Sequence, residues 1–156
     1  LFQRILIANR GEIASRLIRA CHDAGAEAVA VYSDADAEAP FVSEADESIR
    51  IGPPPAAESY LKVDAILDAA RNARAEAIHP GYGFLSENAD FALACAASDM
   101  TWIGPPVEAM RAMADKVQAR NIVSAAGVPV VPGTDHPITA KDAAAEADRI
   151  GYPLMV

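Results

Sequence analysis

The sequence predicts an α/β protein, a parallel sheet with helices on both of its faces. Short apolar runs of strand length alternate along the chain with amphipathic stretches of helical period. Each apolar run closes on residues with turn chemistry, so that strand leads to helix throughout. Parallel neighbours need a crossover connection, and a helix is the usual one.

Taken in order, Arg4 to Ala8 reads as a short buried strand. "GEIASRLIRACHDAG" then places Ile13, Leu17, Ile18 and Cys21 on one helical face, and Gly25 ends the turn. "EAVAVYS" is the second strand and "SIRIG" (48–52) the third, stopped by Pro53, Pro54 and Pro55. "YLKVDAILDAARNA" resumes helical spacing, and "EAIHP" is the fourth strand. Asn88 is placed to cap "ADFALACAAS", and "TWIG" (101–104) is the fifth strand. Pro105 and Pro106 lead into one helix, "VEAMRAMADKVQARNIVSAAG". After Gly127 comes a proline-rich connector, "VPVVPGTDHP". Thr139, with Asp142 three residues on, is expected to cap the helix "AKDAAAEADRIG", and "YPLMV" to open a further strand.

With 156 residues, 52% of them hydrophobic, the chain is long enough for one packed domain. Its net charge of -9, concentrated in "DADAEAPFVSEADE" (34–47), argues against nucleic-acid binding. The carboxylates of that segment lack the spacing of a calcium loop and read as a solvated face. Cys21 and Cys95 lie far apart, each inside a helix, and read as buried free thiols in a reducing compartment. No run approaches membrane-span length and no basic-then-apolar leader precedes "LFQRILIANRGE". A cytoplasmic location is expected, or the mitochondrial matrix in a eukaryote. A start without Met and an apolar finish are read as two trimmed ends.

Ligands of parallel sheets gather beyond the carboxyl ends of the strands, and the unusual spellings fall there. Asn9, Arg10 and Gly11 form a strand-to-helix turn that presents helix amides, but a dinucleotide fingerprint needs three glycines and this turn has one. Gly81 and Gly83 bracket Tyr82 in "HPGYGFLSEN", where backbone can approach a ligand and the ring offers a flat face; a purely structural loop fits as well. His79 has no metal-ligand spacing and reads as structural. Lys116 stands near a helix start, where the macrodipole disfavours a cation; by spacing alone it points into water or pairs with Asp115. Arg16, Arg19 and Asp23 are spaced for intrahelical pairs or for docking a second subunit.

Taken together, "RILIANRGEIASRLIRAC", "ADESIRIGPPPAAESYL", "AIHPGYGFLSENADFA", "WIGP", "DKVQAR", "AGVPVVPG" and "RIGYPLMV" resemble, in register over nearly the whole chain, the N-terminal domain of biotin carboxylase. The resemblance implies a Rossmann-like, pre-ATP-grasp domain over residues 1–114 and the truncated start of an ATP-grasp domain over 115–156. It implies an ATP-dependent ligase that uses ATP, bicarbonate and Mg2+ or Mn2+ to carboxylate biotin on a carrier protein, by way of carboxyphosphate. The implied partners are that carrier, a carboxyltransferase subunit and a second copy in a homodimer, with neither nucleic acid nor membrane.

By the same resemblance Lys116 reaches the ATP phosphates, Tyr82 and Gly83 line the biotin side, and Arg19 and Asp23 fall at the dimer contact, Asp23 standing where Glu is common. Ala114 stands where many relatives have Gly. No catalytic residue and no metal ligand is assigned within the stretch. The glycine-rich lid with its lysine, the metal carboxylates and the arginine facing biotin are expected beyond residue 156, so the stretch alone is expected to be inactive. An acyl-CoA carboxylase component (acetyl-, propionyl- or methylcrotonyl-CoA type) leads. The alternatives are pyruvate or urea carboxylase, or a non-catalytic dimerisation module of the same fold; a nicotinamide oxidoreductase lacks its glycine fingerprint.

Overall fold

A computed structural model describes residues 2–154. The chain divides into two compact units, residues 1–107 and 108–156. The first holds five strands: β1 (Arg4–Ile7), β2 (Glu27–Ser33), β3 (Glu47–Gly52), β4 (Ala77–His79) and β5 (Thr101–Trp102). They form one sheet in the order β3-β2-β1-β4-β5, with every neighbouring pair parallel. Between them run α1 (Gly11–Asp23), α2 (Pro40–Glu44), α3 (Val63–Asn72) and α4 (Ala89–Ala97).

The alternation of side chains along each strand splits the core into two layers. Ile5 and Ile7 of β1, with Ala28 and Ala30 of β2, pack against Leu17, Ile18 and Cys21 of α1 and Phe41 of α2. Leu6, Val29, Val31 and Ile78 face the other way, onto Ile66 and Leu67 of α3 and Phe91 and Cys95 of α4. The expected helices on both faces are therefore present, and β1 and β2 are covered on both sides. Cys21 and Cys95 are buried and free, and burial pushes the Cys95 thiol up to about 11, which leaves it protonated and unreactive at neutral pH.

Several local expectations are corrected. The acidic segment is not a uniformly solvated face. It folds into a short helical turn at Asp34–Asp36 and into α2, whose Phe41 is 1% exposed, and Asp36 itself is buried. The helix expected from Tyr60 begins at Val63, because Tyr60 is drawn inward and lies 2% exposed.

The single long helix expected after Pro106 is two, α5 (Val107–Met113) and α6 (Lys116–Ala125). The Asp115 side chain accepts the Gln118 N–H at 2.8 Å, capping a new helix where continuation was expected. Helix α7 (Ala143–Ile150) has Asp142, not Thr139, as its N-cap residue, and Thr139 Oγ1 donates to the Asp142 carboxylate at 2.7 Å. Tyr152 to Leu154 form no strand, and the remainder of "YPLMV", Met155 and Val156, lies outside the described residues. Among the described residues no helix is long and apolar enough to cross a membrane.

Candidate functional site

β1 lies at the centre of the sheet, where the strand order reverses. From its end the chain turns into α1 on one face, whereas from the neighbouring end of β4 it goes on to α4 on the other. Two loops that part in this way leave a crevice between them, the usual ligand position of an open parallel sheet. The segments that fill it are Asn9–Gly11 and Pro80–Asn88.

Asn9 ties the two together. It is fully buried, and its Nδ2 donates to the carbonyl oxygens of Pro80 (2.7 Å) and Tyr82 (2.9 Å), while its Oδ1 accepts the Arg10 N–H at 2.9 Å. Gly81 passes directly over this amide at φ 67°, and a Cβ there would stand 2.8 Å from Asn9 Nδ2 and from Ile13 Cγ2. Gly83 has φ 72°, yet a Cβ on it would meet nothing within 4 Å. One glycine is demanded by a close approach and the other by backbone conformation beside open space.

Tyr82 is 55% exposed, and its hydroxyl donates to Glu12 Oε1 at 2.8 Å. That bond to a carboxylate favours the protonated phenol and raises its pKa. His79 is half-buried and accepts the Gly81 N–H on Nδ1 at 3.1 Å. Burial, with the Arg16 charge second, holds its pKa below the ordinary value, so the neutral ring serves as a turn acceptor, in keeping with its structural reading. The expectation that Asn88 caps α4 is met: its side chain accepts the Phe91 N–H at 2.9 Å.

A buried polar cluster adjoins the loop, and it is what sequence reasoning missed. Asp36 accepts from Arg10 Nε (2.8 Å) and from Nη2, from the Tyr60 hydroxyl (2.7 Å) and from Ser33 Oγ (3.2 Å). The Arg10 hydrogen bond outweighs desolvation and holds the Asp36 carboxyl below the usual range. Burial, followed by the bond to Asp36, pushes the Tyr60 phenol up to about 12. The Tyr60 hydroxyl also accepts the Ser33 N–H at 3.0 Å. The far face of its ring stacks on Phe84, centroids 5.2 Å apart and planes 19° from parallel. Phe84 has φ 45°, a left-handed conformation that costs a non-glycine residue about 1–2 kcal/mol. A cleft of about 320 Å³ lies among Arg10, Asp36, Pro54, Tyr60 and Phe84. The only sequence hint was an arginine after β1 and an aspartate after β2, two ends that a parallel sheet places side by side.

In the second unit, Lys116 is exposed as the first residue of α6. It lines a cavity of about 1060 Å³ with Arg120, Gly133, Thr134, Glu146 and Tyr152. Asp115 faces the same helix end as its cap, so the dipole conflict read from the sequence is partly answered by Asp115 itself. Arg19 and Asp23 are exposed on α1, opposite the buried Leu17, Ile18 and Cys21, and no ion pair joins them among the described residues. Nor do those residues include a group of three or more His, Cys, Asp or Glu placed to hold a metal ion.

A parallel sheet with a glycine loop clamped at its switch point defines an α/β protein of the class whose ligands usually sit at that point. The family model described as the biotin carboxylase N-terminal domain matches residues 1–110, and that of the ATP-binding domain of the carbamoyl-phosphate synthase L chain matches 115–156. The chain belongs to the biotin carboxylase N-terminal domain family. It is 55% identical to the mitochondrial methylcrotonoyl-CoA carboxylase subunit alpha of Glycine max, over 99% of this chain and 21% of that one. It is 51% identical to a biotin carboxylase of Pseudomonas aeruginosa, over 100% of this chain and 35% of that one. A solved biotin carboxylase from Campylobacter jejuni, in a β,γ-ATP complex, superposes with a TM-score of 0.91 at 49% identity, covering 98% of this chain and 34% of that one. The chain thus spans from 21% to 35% of the length of these relatives.

Proposed function

We propose that this chain is the N-terminal part of the biotin carboxylase component of an acyl-CoA carboxylase. That ligase would couple ATP hydrolysis to carboxylation of biotin on a carrier protein, with bicarbonate as the carbon source and a carboxyltransferase taking the product. The observation that carries the reading is the glycine loop held open at the switch point, within a chain of this family. Identity to a methylcrotonoyl-CoA carboxylase subunit supports the acyl-CoA assignment.

In this reading the exposed ring of Tyr82 and the uncovered backbone of Gly83 form one wall for the biotin ureido ring. Tyr82 positions the ring and does not act as a base, because its bond to Glu12 favours the protonated phenol. Lys116, on the cavity it shares with Arg120, supplies positive charge to the ATP phosphates. We also assign the boundary between the pre-ATP-grasp domain and the start of the ATP-grasp domain to Ala114 and Asp115, a reading supported by the break between α5 and α6 and by the two family-model matches over 1–110 and 115–156. ATP supplies the driving force through its terminal phosphate, and Mg2+ or Mn2+ would be held by residues outside this chain.

Lys116→Ala in the full-length protein is expected to raise the Michaelis constant for ATP or lower turnover by about 10- to 100-fold, the worth of one charge-assisted hydrogen bond. Circular dichroism should be unchanged. Bicarbonate-dependent ATP hydrolysis at the parent rate would remove Lys116 from the nucleotide site. Arg19 and Asp23, free of each other on the exposed side of α1, are assigned to the homodimer contact. Arg19→Ala is expected to shift sedimentation toward the monomer on dilution; a parent-like dimer at every concentration defeats that assignment.

A further inference from the structure

The loop that Asn9 holds at its start is held at its end by a different device. Phe84 keeps a left-handed backbone although it is not glycine, and it is 37% exposed, so little surrounding packing enforces that conformation. What it does contact is the ring of Tyr60. Tyr60 is 2% exposed and cannot swing, because its hydroxyl is bonded on one side to Asp36 and on the other to the Ser33 amide at the end of β2. Asp36 is in turn pinned by Arg10, the neighbour of Asn9. Both ends of the loop are thus referred to the same turn after β1. The amides of Tyr82, Gly83 and Phe84 make no hydrogen bond among the described residues, and the loop spans Phe84 with a single turn bond of its own, from the Ser86 N–H to the Gly83 carbonyl oxygen at 2.9 Å.

We propose that Tyr60, anchored by Asp36 and stacked on Phe84, is a positioning residue that locks the Gly81–Phe84 loop in its open-backbone conformation. The aromatic contact balances the left-handed strain at Phe84 and thereby sets the directions of the Gly83 peptide and the Tyr82 ring. The consequence for biotin rests on the function proposed above; the locking itself does not.

The test uses the full-length protein with Tyr60→Leu, which removes the stacking partner, and Phe84→Leu, which removes it from the exposed side and leaves the core intact. Phe84→Tyr is the rescue control, since it restores a ring. Hydrogen exchange is read at the loop-closing amides of Gly81, Ser86 and Asn88, and separately at the sheet amides of β1 and β2. Both Leu variants are expected to accelerate loop exchange about tenfold, and Phe84→Tyr exchanges at the parent rate. The sheet is unchanged in Phe84→Leu, whereas the Ser33 amide at the end of β2 also speeds up in Tyr60→Leu because it loses the Tyr60 hydroxyl. The Michaelis constant for free biotin should rise in parallel and that for ATP should not. Unchanged loop exchange in Phe84→Leu, or equal acceleration of loop and sheet in that variant, overturns the proposal. Loop acceleration with an unaltered biotin constant supports the locking role and removes the loop from the biotin site.

Discussion

Gly52→Ala is expected to destabilise the first unit by about 3 kcal/mol or more, beyond the usual range for a single added methyl. Gly52 ends β3 at φ 151°, and a Cβ there would collide with the Glu58 carbonyl oxygen, which is backbone and cannot rotate aside. The collision falls where the β2 and β3 registers shift, Ser33 standing opposite Gly52. It would therefore either push the turn at Ala56–Glu58 outward or open the β3 edge. Hydrogen exchange of the β2 and β3 amides in the full-length protein checks this: the opening energy should fall by the stated amount while amides of the second unit are unaffected. Parent-like exchange would mean that the turn slides away freely, and Tyr60, which follows it, would then be less firmly held than its burial indicates.

Asn9→Ala is the second large effect, and it falls on the site as well as on the fold. The substitution strands the Pro80 and Tyr82 carbonyls and leaves a void at a fully buried position. Each stranded buried group costs about 1–3 kcal/mol, so a loss of about 2–4 kcal/mol is expected after partial rehydration. Asn9→Asp should not rescue it, because a carboxylate cannot donate to two carbonyl oxygens. Denaturant midpoints of the full-length protein report the loss, and biotin-stimulated ATP hydrolysis should fall with it. A midpoint equal to the parent's would show that water replaces the amide without penalty.

The sheet and its two-faced cover were legible because they depend on local pattern. Alternation in β1 and the spacing of Leu17, Ile18 and Cys21 in α1 act within a few residues. The glycine loop was legible as a motif, though not the reason for each glycine: the approach of Gly81 to Asn9 joins positions 72 residues apart, 81 less 9. Asp36 was misread for the same cause. Its acidic neighbours suggested solvent, while the partners that bury it, Arg10 and Tyr60, lie 26 and 24 residues away. The break between α5 and α6 hinged on one capping bond at Asp115 that competes with an otherwise continuous helical pattern. Thr139 satisfied the spacing of a cap, but its hydroxyl serves the Asp142 carboxylate and not a helix amide.

The central place of β1 also dictates an order of events during synthesis. One side of β1 finds β2 soon after it is made, but its other partner, β4, is not translated until residues 77–79. At ribosomal rates of about 5–20 residues per second, the strand that will form the middle of the sheet spends several seconds as an unpaired edge. Its apolar residues and bare amides are open to other chains for that interval. β1 is thus made well ahead of the partner that encloses it, and a nascent chain stalled between β2 and β4 presents its own future core as an adhesive edge.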